Sequence, residues 1–127
     1  MRQKGEVVKD SGHRERFKTG ALRETRGKTP LDLMSPFAEE RLGLWLQKGA
    51  AKYSARNWER GLPYSACIGS IMRHVNKFRR GLTDEDHLAA IMCNAMFLLH
   101  FDEMMAAGVL PSSLDDRPKY IKPRRPK

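Results

Sequence analysis

The sequence predicts an all-α protein, a three-helix core with an antiparallel helix hairpin that assembles as an oligomeric bundle. Three observations lead there. Apolar residues recur at i, i+3 and i+4 in three separate stretches. Each stretch is bracketed by helix start and stop residues, and none of them alternates apolar with polar as a half-buried strand does. A chain of 127 residues, 40% of them hydrophobic, suffices for one domain with one core.

Residues 1–34 are polar, rich in Gly and Thr, and lack a sustained period. They read as an extended arm with short ordered pieces around Phe17 and Leu22. Ser35-Pro36 opens the first helix: Ser serves as N-cap, Pro takes the first helical position, and Glu39 and Glu40 meet the positive end of the dipole. Leu42, Trp45, Leu46, Gly49 and Tyr53 share a face, which carries this helix over about 36–54, and Gly61 and Pro63 break the pattern. Ile68, Ile71, Met72, Val75 and Phe78 define a second helix over about 65–80, ended by Gly81. Thr83 opens the third, with Asp86 completing a capping-box-like pair. Leu88, Ile91, Met92, Ala95, Leu98, Leu99 and Met105 extend it to about 107, where Gly108 stops it. The helical domain thus spans 35–108. Residues 109–127, with four of the seven prolines, read as an irregular basic tail.

A turn of two or three residues between the second and third helices forces a hairpin. The third helix is apolar over much of its surface, more than three helices cover, so a homo-oligomer, dimer or tetramer, is expected.

The net charge of +9 sits in the arms. Residues 117–127 carry six basic residues and no acidic one, whereas 35–116 carry nine basic and ten acidic. The core is not a nucleic-acid-reading surface, and the tail offers only weak, salt-sensitive attraction. No apolar run approaches the roughly 18 residues of a membrane span. The N-terminus lacks the apolar middle of a signal peptide, so a cytoplasmic protein is expected. Cys67 and Cys93 lie inside apolar helical patterns and read as buried reduced thiols.

Chemistry concentrates in three places. In "KGAAKYSARNWERG", Lys48, Lys52 and Arg56 recur at i, i+4 and i+8, followed by Asn57 and Trp58. Cations there donate to phosphate oxygens and an indole stacks on a base; alternatively, the stretch is a basic helix C-terminus with Trp58 as a core lid. In the hairpin, His74 precedes the end of the second helix by about six residues and His87 follows the start of the third by about three. Their levels then differ by about 5 Å at 1.5 Å per residue, with Asp84, Glu85 and Asp86 crowding the same turn. Such a group holds a divalent cation, or is ordinary capping beside a hydrogen-bonded histidine. Asn94, two turns after His87 on the same face, bonds a neighbouring helix or faces a ligand. No nucleophile elbow, phosphate-cradling Gly loop or CxxC is present, which leaves metal-assisted hydrolysis or binding without chemistry.

Taken together, "TGALRETRGKTPLDLMSP", "KGAAKYSARNWERGLP", "SIMRHVNKFRRG" and "DEDHLAAIMCNAMFLL" resemble the phage dATP/dGTP diphosphohydrolase N-terminal domain family, related to the MazG-like all-α nucleotide pyrophosphohydrolases. The resemblance covers roughly residues 12–105. It implies cleavage of a (deoxy)nucleoside triphosphate, dGTP or dATP, to monophosphate and pyrophosphate in phage nucleotide metabolism, with divalent Mg, Mn or Co. MazG-like enzymes bind metal through E-x-x-E on one helix and E-x-x-D on the next. Here those positions fall on Ile71 and His74, and on Asp84 and His87, so imidazoles replace carboxylates. The roles implied are phosphate binding by Lys48, Lys52, Arg56 and Arg73; base or sugar contacts by Tyr53, Asn57 and Trp58, with Asn94 also facing the substrate; metal binding by His74, Asp84, Glu85, Asp86 and His87; and catalysis by His74, Glu85 and Asp86. A nucleotide-sequestering protein without catalysis is the alternative.

Overall fold

A computed structural model describes residues 12–24 and 26–121, which fall into two compact units divided between Met34 and Ser35. The first unit corrects the expectation of an arm without strands. Strand β1 (Arg14–Arg16) pairs antiparallel with β2 (Leu22–Glu24), in the register Arg14 to Glu24, Glu15 to Arg23 and Arg16 to Leu22. The register sets opposite charges across the ladder, and Arg14 Nη1 lies 2.8 Å from Glu24 Oε2. The turn closes through Phe17 N–H to Ala21 O at 2.9 Å, with Gly20 supplying a φ of 89°. Residues 1–11, the start of the expected arm, lie outside the described residues.

The second unit holds three α-helices: α1 (Pro36–Lys52), α2 (Tyr64–Arg79) and α3 (His87–Ala106). The Ser35 hydroxyl caps α1 by accepting from Ala38 N–H at 3.2 Å, and Pro36 sits at its start as expected. The helix stops at Lys52, two residues short of the expected end, because Ser54 takes a φ of 142°. Residues Asn57–Arg60 form a short 3₁₀ turn ending at Gly61, whose φ is 100°.

Both α2 and α3 end at glycine. After α2, Gly81 N–H bonds Phe78 O and Leu82 N–H bonds Lys77 O; Gly108 and Val109 repeat the pattern on Met105 and Met104 after α3. This is the Schellman closure, which needs a left-handed residue at Gly81 (φ 78°) and Gly108 (φ 74°). The start of α3 differs from expectation. Asp86, not Thr83, is the N-cap and accepts from Ala89 N–H at 3.1 Å. Arg41 of α1 forks onto the same carboxylate at 2.6 and 2.8 Å, which anchors it there.

Pairing between α2 and α3 runs His74 to His87, Ser70 to Asn94 and Tyr64 to Asp102, so the two helices form the expected antiparallel hairpin, although seven residues, Arg80 to Asp86, join them where two or three were expected. The buried centre is Tyr64, Cys67 and Phe101, with Ala90 and Cys93 nearer the start of α3. Both thiols are free and buried, and burial pushes the Cys93 thiol up to about 11. At 20 residues and mean hydropathy 1.3, α3 is long and apolar enough to cross a membrane by length and composition, which corrects the expectation that no segment comes near that limit. Here both other helices pack on it.

The segment after α3 is irregular as expected, apart from a 3₁₀ turn at Ser112–Leu114, but it is tied down against the helices. Leu110 and Leu114 pack against the core, and Leu114 Cδ1 lies 2.8 Å from where a Cβ on Gly61 would stand, so a side chain at Gly61 would push the Leu114 methyl aside, on top of the cost of its φ of 100°. Asp116 accepts from Ser65 N–H at 2.8 Å and Ser65 O–H at 2.5 Å, capping an α2 start that Pro63 leaves without a side-chain cap. Arg117 forks onto Asp115 at 2.7 Å and lies 5.5 Å above the Tyr64 ring. The rest of the basic tail, from residue 122, lies outside the described residues.

The phenol of Tyr64 donates to Asp102, and burial first, then that hydrogen bond, pushes it from 10.0 up to about 12. Between those values the folded protein keeps a proton that the unfolded chain has lost, so stability is intact below pH 10 and falls as pH rises toward 12. Urea titrations across that range should show this loss in the parent protein and a flatter profile in Tyr64→Phe.

Candidate metal centre at the hairpin turn

The turn between α2 and α3 gathers imidazoles and carboxylates from three sources. Histidine 74 comes from the next-to-last turn of α2, His87 is the first residue of α3, and Glu85 stands between them. Ligand-capable atoms of His74, Glu85 and His87 all lie within 4.8 Å of one another. The two Nδ1 atoms are 2.9 Å apart, at hydrogen-bond distance, one ring N–H donating to the other ring's nitrogen. Two nitrogens on one ion at bond lengths of about 2.1 Å stand roughly 3.0–3.4 Å apart for bond angles of 90–109°, so the imidazoles are spaced close to ligands that share a cation. The far nitrogen of His87, Nε2, lies 2.9 Å from Asp84 Oδ1. That places Asp84 behind the imidazole as its orienting carboxylate, the arrangement that fixes a metal-bound histidine's tautomer, rather than among the direct ligands.

Electrostatics favour the ligand-competent form. Burial lowers the pKa of His74; Glu85 partly offsets this, and His87, Lys77 and Arg73 push the same way as burial. A neutral imidazole presents a lone pair to a cation. The hydrogen bond with His87 holds the Asp84 carboxyl below the usual range. Trp45 of α1 meets the His74 ring edge-on at 5.7 Å and walls one side of the cluster.

Asp86 turns away from this centre. It is both the α3 cap and the partner of Arg41, whose guanidinium holds its carboxyl down at about 2. It therefore fixes the turn instead of presenting a free carboxylate to a metal. Neither Arg41 nor Trp45 was read from the sequence as a site residue, Trp45 standing only on the apolar face of the first helix, because each acts through a contact with a residue far along the chain.

The basic stretch is dispersed rather than aligned. Lys48 lies 5.9 Å above Trp45, the ring that packs on His74, and so borders the cluster. Lys52 lies over Tyr53 at 5.3 Å. Since α1 has ended, Arg56 does not continue the stripe and pairs instead with Glu59 at 2.5 Å. Asn57 begins the 3₁₀ turn, and Trp58 stacks on Phe97 at 4.7 Å with His100 edge-on at 4.9 Å. Trp58 is thus the lid of the core. Its partners lie 10–13 residues beyond His87, about 15–20 Å along the helix. Asn94 donates to Ser70 Oγ at 3.2 Å and Ala90 O at 2.9 Å, a bridge between helices. Arg73 is exposed and folds back over Gly69.

Hollows among the described residues include one along α1 and one at the hairpin turn. The larger, about 570 Å³, runs along one face of α1 and carries Glu39 and Glu40, which repel a triphosphate. The smaller, about 190 Å³, borders the cluster and is lined by Arg41, Phe78, Leu82, Thr83, Glu85, Asp86, His87 and Leu88. Proximity to the chemistry favours the smaller one.

A helical hairpin with two imidazoles and a carboxylate converging at its turn defines a candidate metal-binding helical domain. Residues 18–107 match the family described as dATP/dGTP diphosphohydrolase, N-terminal, and the chain belongs to that family. Its name is that of a hydrolase. No curated protein and no solved structure matches the chain.

Proposed function

We propose that this protein is a metal-dependent hydrolase that cleaves a purine (deoxy)nucleoside triphosphate, dGTP or dATP, to monophosphate and pyrophosphate. Family membership supports the reaction class. The observation that carries the reading is the 2.9 Å approach of His74 Nδ1 to His87 Nδ1 beside Glu85. In this reading His74, Glu85 and His87 hold the ion and Asp84 orients His87. Two imidazoles and one carboxylate suit Mn or Co better than Mg. When bound, the ion supplies charge against the phosphates and acidifies a water. Lys48 and Arg73 draw the phosphate chain toward the turn. The water oxygen bonds the α-phosphorus, the bond from that phosphorus to the α–β bridging oxygen breaks, and pyrophosphate leaves with the electron pair. The exposed Glu85 carboxylate takes the water's proton on its spare oxygen.

A helical, MazG-like bundle of this kind would work as an oligomer in the cytoplasm, within a phage-infected host. From Ala89 to Leu99 α3 carries no charged residue, and Met92 (42%) and Leu99 (69%) are exposed. We assign that face to a second copy of the chain. Leu99→Lys should then lower the sedimentation coefficient to that of a smaller species; an unchanged value would remove the face from the interface.

The decisive experiment is product analysis of dGTP, dATP and the other nucleoside triphosphates with Mn, Co or Mg, against an EDTA control. Monophosphate with pyrophosphate, appearing only with metal, is expected. A second reading, nucleotide binding without catalysis, rests on the withdrawal of Asp84 to His87 and Asp86 to Arg41, which leaves a single carboxylate at the cluster. Tight nucleotide binding with no turnover under any metal would establish it.

A further inference from the structure

The hydrolase reading needs a surface for the base, and the residue that sequence reasoning supplied for it is already occupied. Trp58 has one face stacked on Phe97 and its other contacts on His100 and Phe101. At the metal cluster itself stands a different aromatic side chain. Phe78 lies on α2 four residues after His74, hence on the same helix face one turn on, and half of its surface is exposed.

We propose that the cleft at the hairpin turn is the nucleobase pocket, with Phe78 as its stacking wall and Leu82 and Leu88 as its apolar sides. This rests on the nucleotide reading of the site above. A void of about 190 Å³ falls below the roughly 300–1,000 Å³ of pockets for drug-sized ligands. It takes one planar ring system and leaves sugar and phosphates outside. Glu85 and His87 line the same cleft, so a base seated there brings its phosphates to the cluster. Every base offers a π-face to an aromatic ring. The Thr83 hydroxyl in the lining both donates and accepts, which suits the 6-amino group of adenine and the 6-oxo group of guanine alike. The Gly81 closure aims the wall: it turns the chain sharply after Phe78 and returns Leu82 to the same cleft.

The test uses the full chain with Mn²⁺ and two probes, dGTP and inorganic triphosphate, which has the phosphates but no base. Phe78→Ala should raise KM for dGTP about tenfold, or its equilibrium Kd by the same factor, with kcat within about twofold. Affinity for inorganic triphosphate should stay unchanged, and Phe78→Tyr should restore dGTP affinity. Unchanged dGTP affinity in Phe78→Ala would overturn the proposal. So would equal weakening of both probes, or weakening that merely follows a fall in sedimentation coefficient, since those outcomes make Phe78 a packing or interface residue. If the parent binds dGTP without hydrolysing it and Phe78→Ala weakens that binding alone, the pocket stands and the hydrolase reading fails. If turnover persists unaffected by Phe78→Ala, the hydrolase reading stands and the pocket fails.

Discussion

Replacing His74 with alanine is expected to lower kcat/KM for dGTP by on the order of 100- to 1,000-fold in the presence of Mn or Co. The reason is arithmetical as much as chemical. On the proposed reading the cluster offers three direct ligands, His74, Glu85 and His87, and α2 contributes only His74. Without it an ion would be held from the turn and α3 alone, and the bridge it would make across the hairpin would disappear. His74 is only partly buried, so the substitution should leave the helical circular dichroism intact, and lost activity can be read as lost metal. Titration with Co²⁺, followed by its visible absorption, separates this from a defect in substrate binding. Asp84→Asn is the companion: it keeps the three ligands and weakens only the orientation of His87, so metal affinity should fall by about 10- to 100-fold. If His74→Ala turns over dGTP within threefold of the parent, the centre lies elsewhere.

Phe101→Ala should be the most destabilising single change in the helical unit, at about 3–5 kcal/mol. The side chain is 0% exposed and lies against the rings of Phe97, His100 and Trp58. Truncation leaves a hole lined by rigid rings that cannot collapse into it. Small domains hold only about 5–15 kcal/mol in total, and each kcal/mol lowers Tm by roughly 4–8 °C at this size. A fall of some 12 °C or more in thermal unfolding, followed at 222 nm, is the expected result. A shift below about 4 °C would mean that the aromatic cluster is not the centre of the core.

What the sequence made legible was local. The 3.6-residue period of Ile68, Ile71, Val75 and Phe78, the Ser35-Pro36 start and the glycines at 81 and 108 each act within one or two turns of chain, and each marks a boundary within a residue or two. The approach of His74 to His87 was also legible, but not for the reason expected: seven residues, Arg80 to Asp86, join the helices instead of two or three, and His87 opens α3 instead of lying three residues inside it. Contacts reaching across the chain were not. Thr83 and Asp86 can both cap a helix, and Asp86 wins because Arg41, 45 residues earlier, clamps it in place. The β1–β2 hairpin has no apolar face to show an alternation; opposite charges placed across its register support it instead. Trp58 was open between a core lid, which spacing favoured, and a base contact, which the resemblance implied, and its stacking on Phe97 speaks for the core.

The clasp of Asp116 on Ser65 bears on where this domain can be cut or joined to another. The family match ends at residue 107, but the structure's own seam lies about ten residues later, past Leu110, Leu114 and the Asp115–Arg117 pair. A truncation designed on the match would strip the cover from Gly61 and Tyr64 and leave the first turn of α2 without its acceptor. Such a fragment would be a poor stand-in for the protein in any assay, and a reporter or tether belongs beyond Arg117.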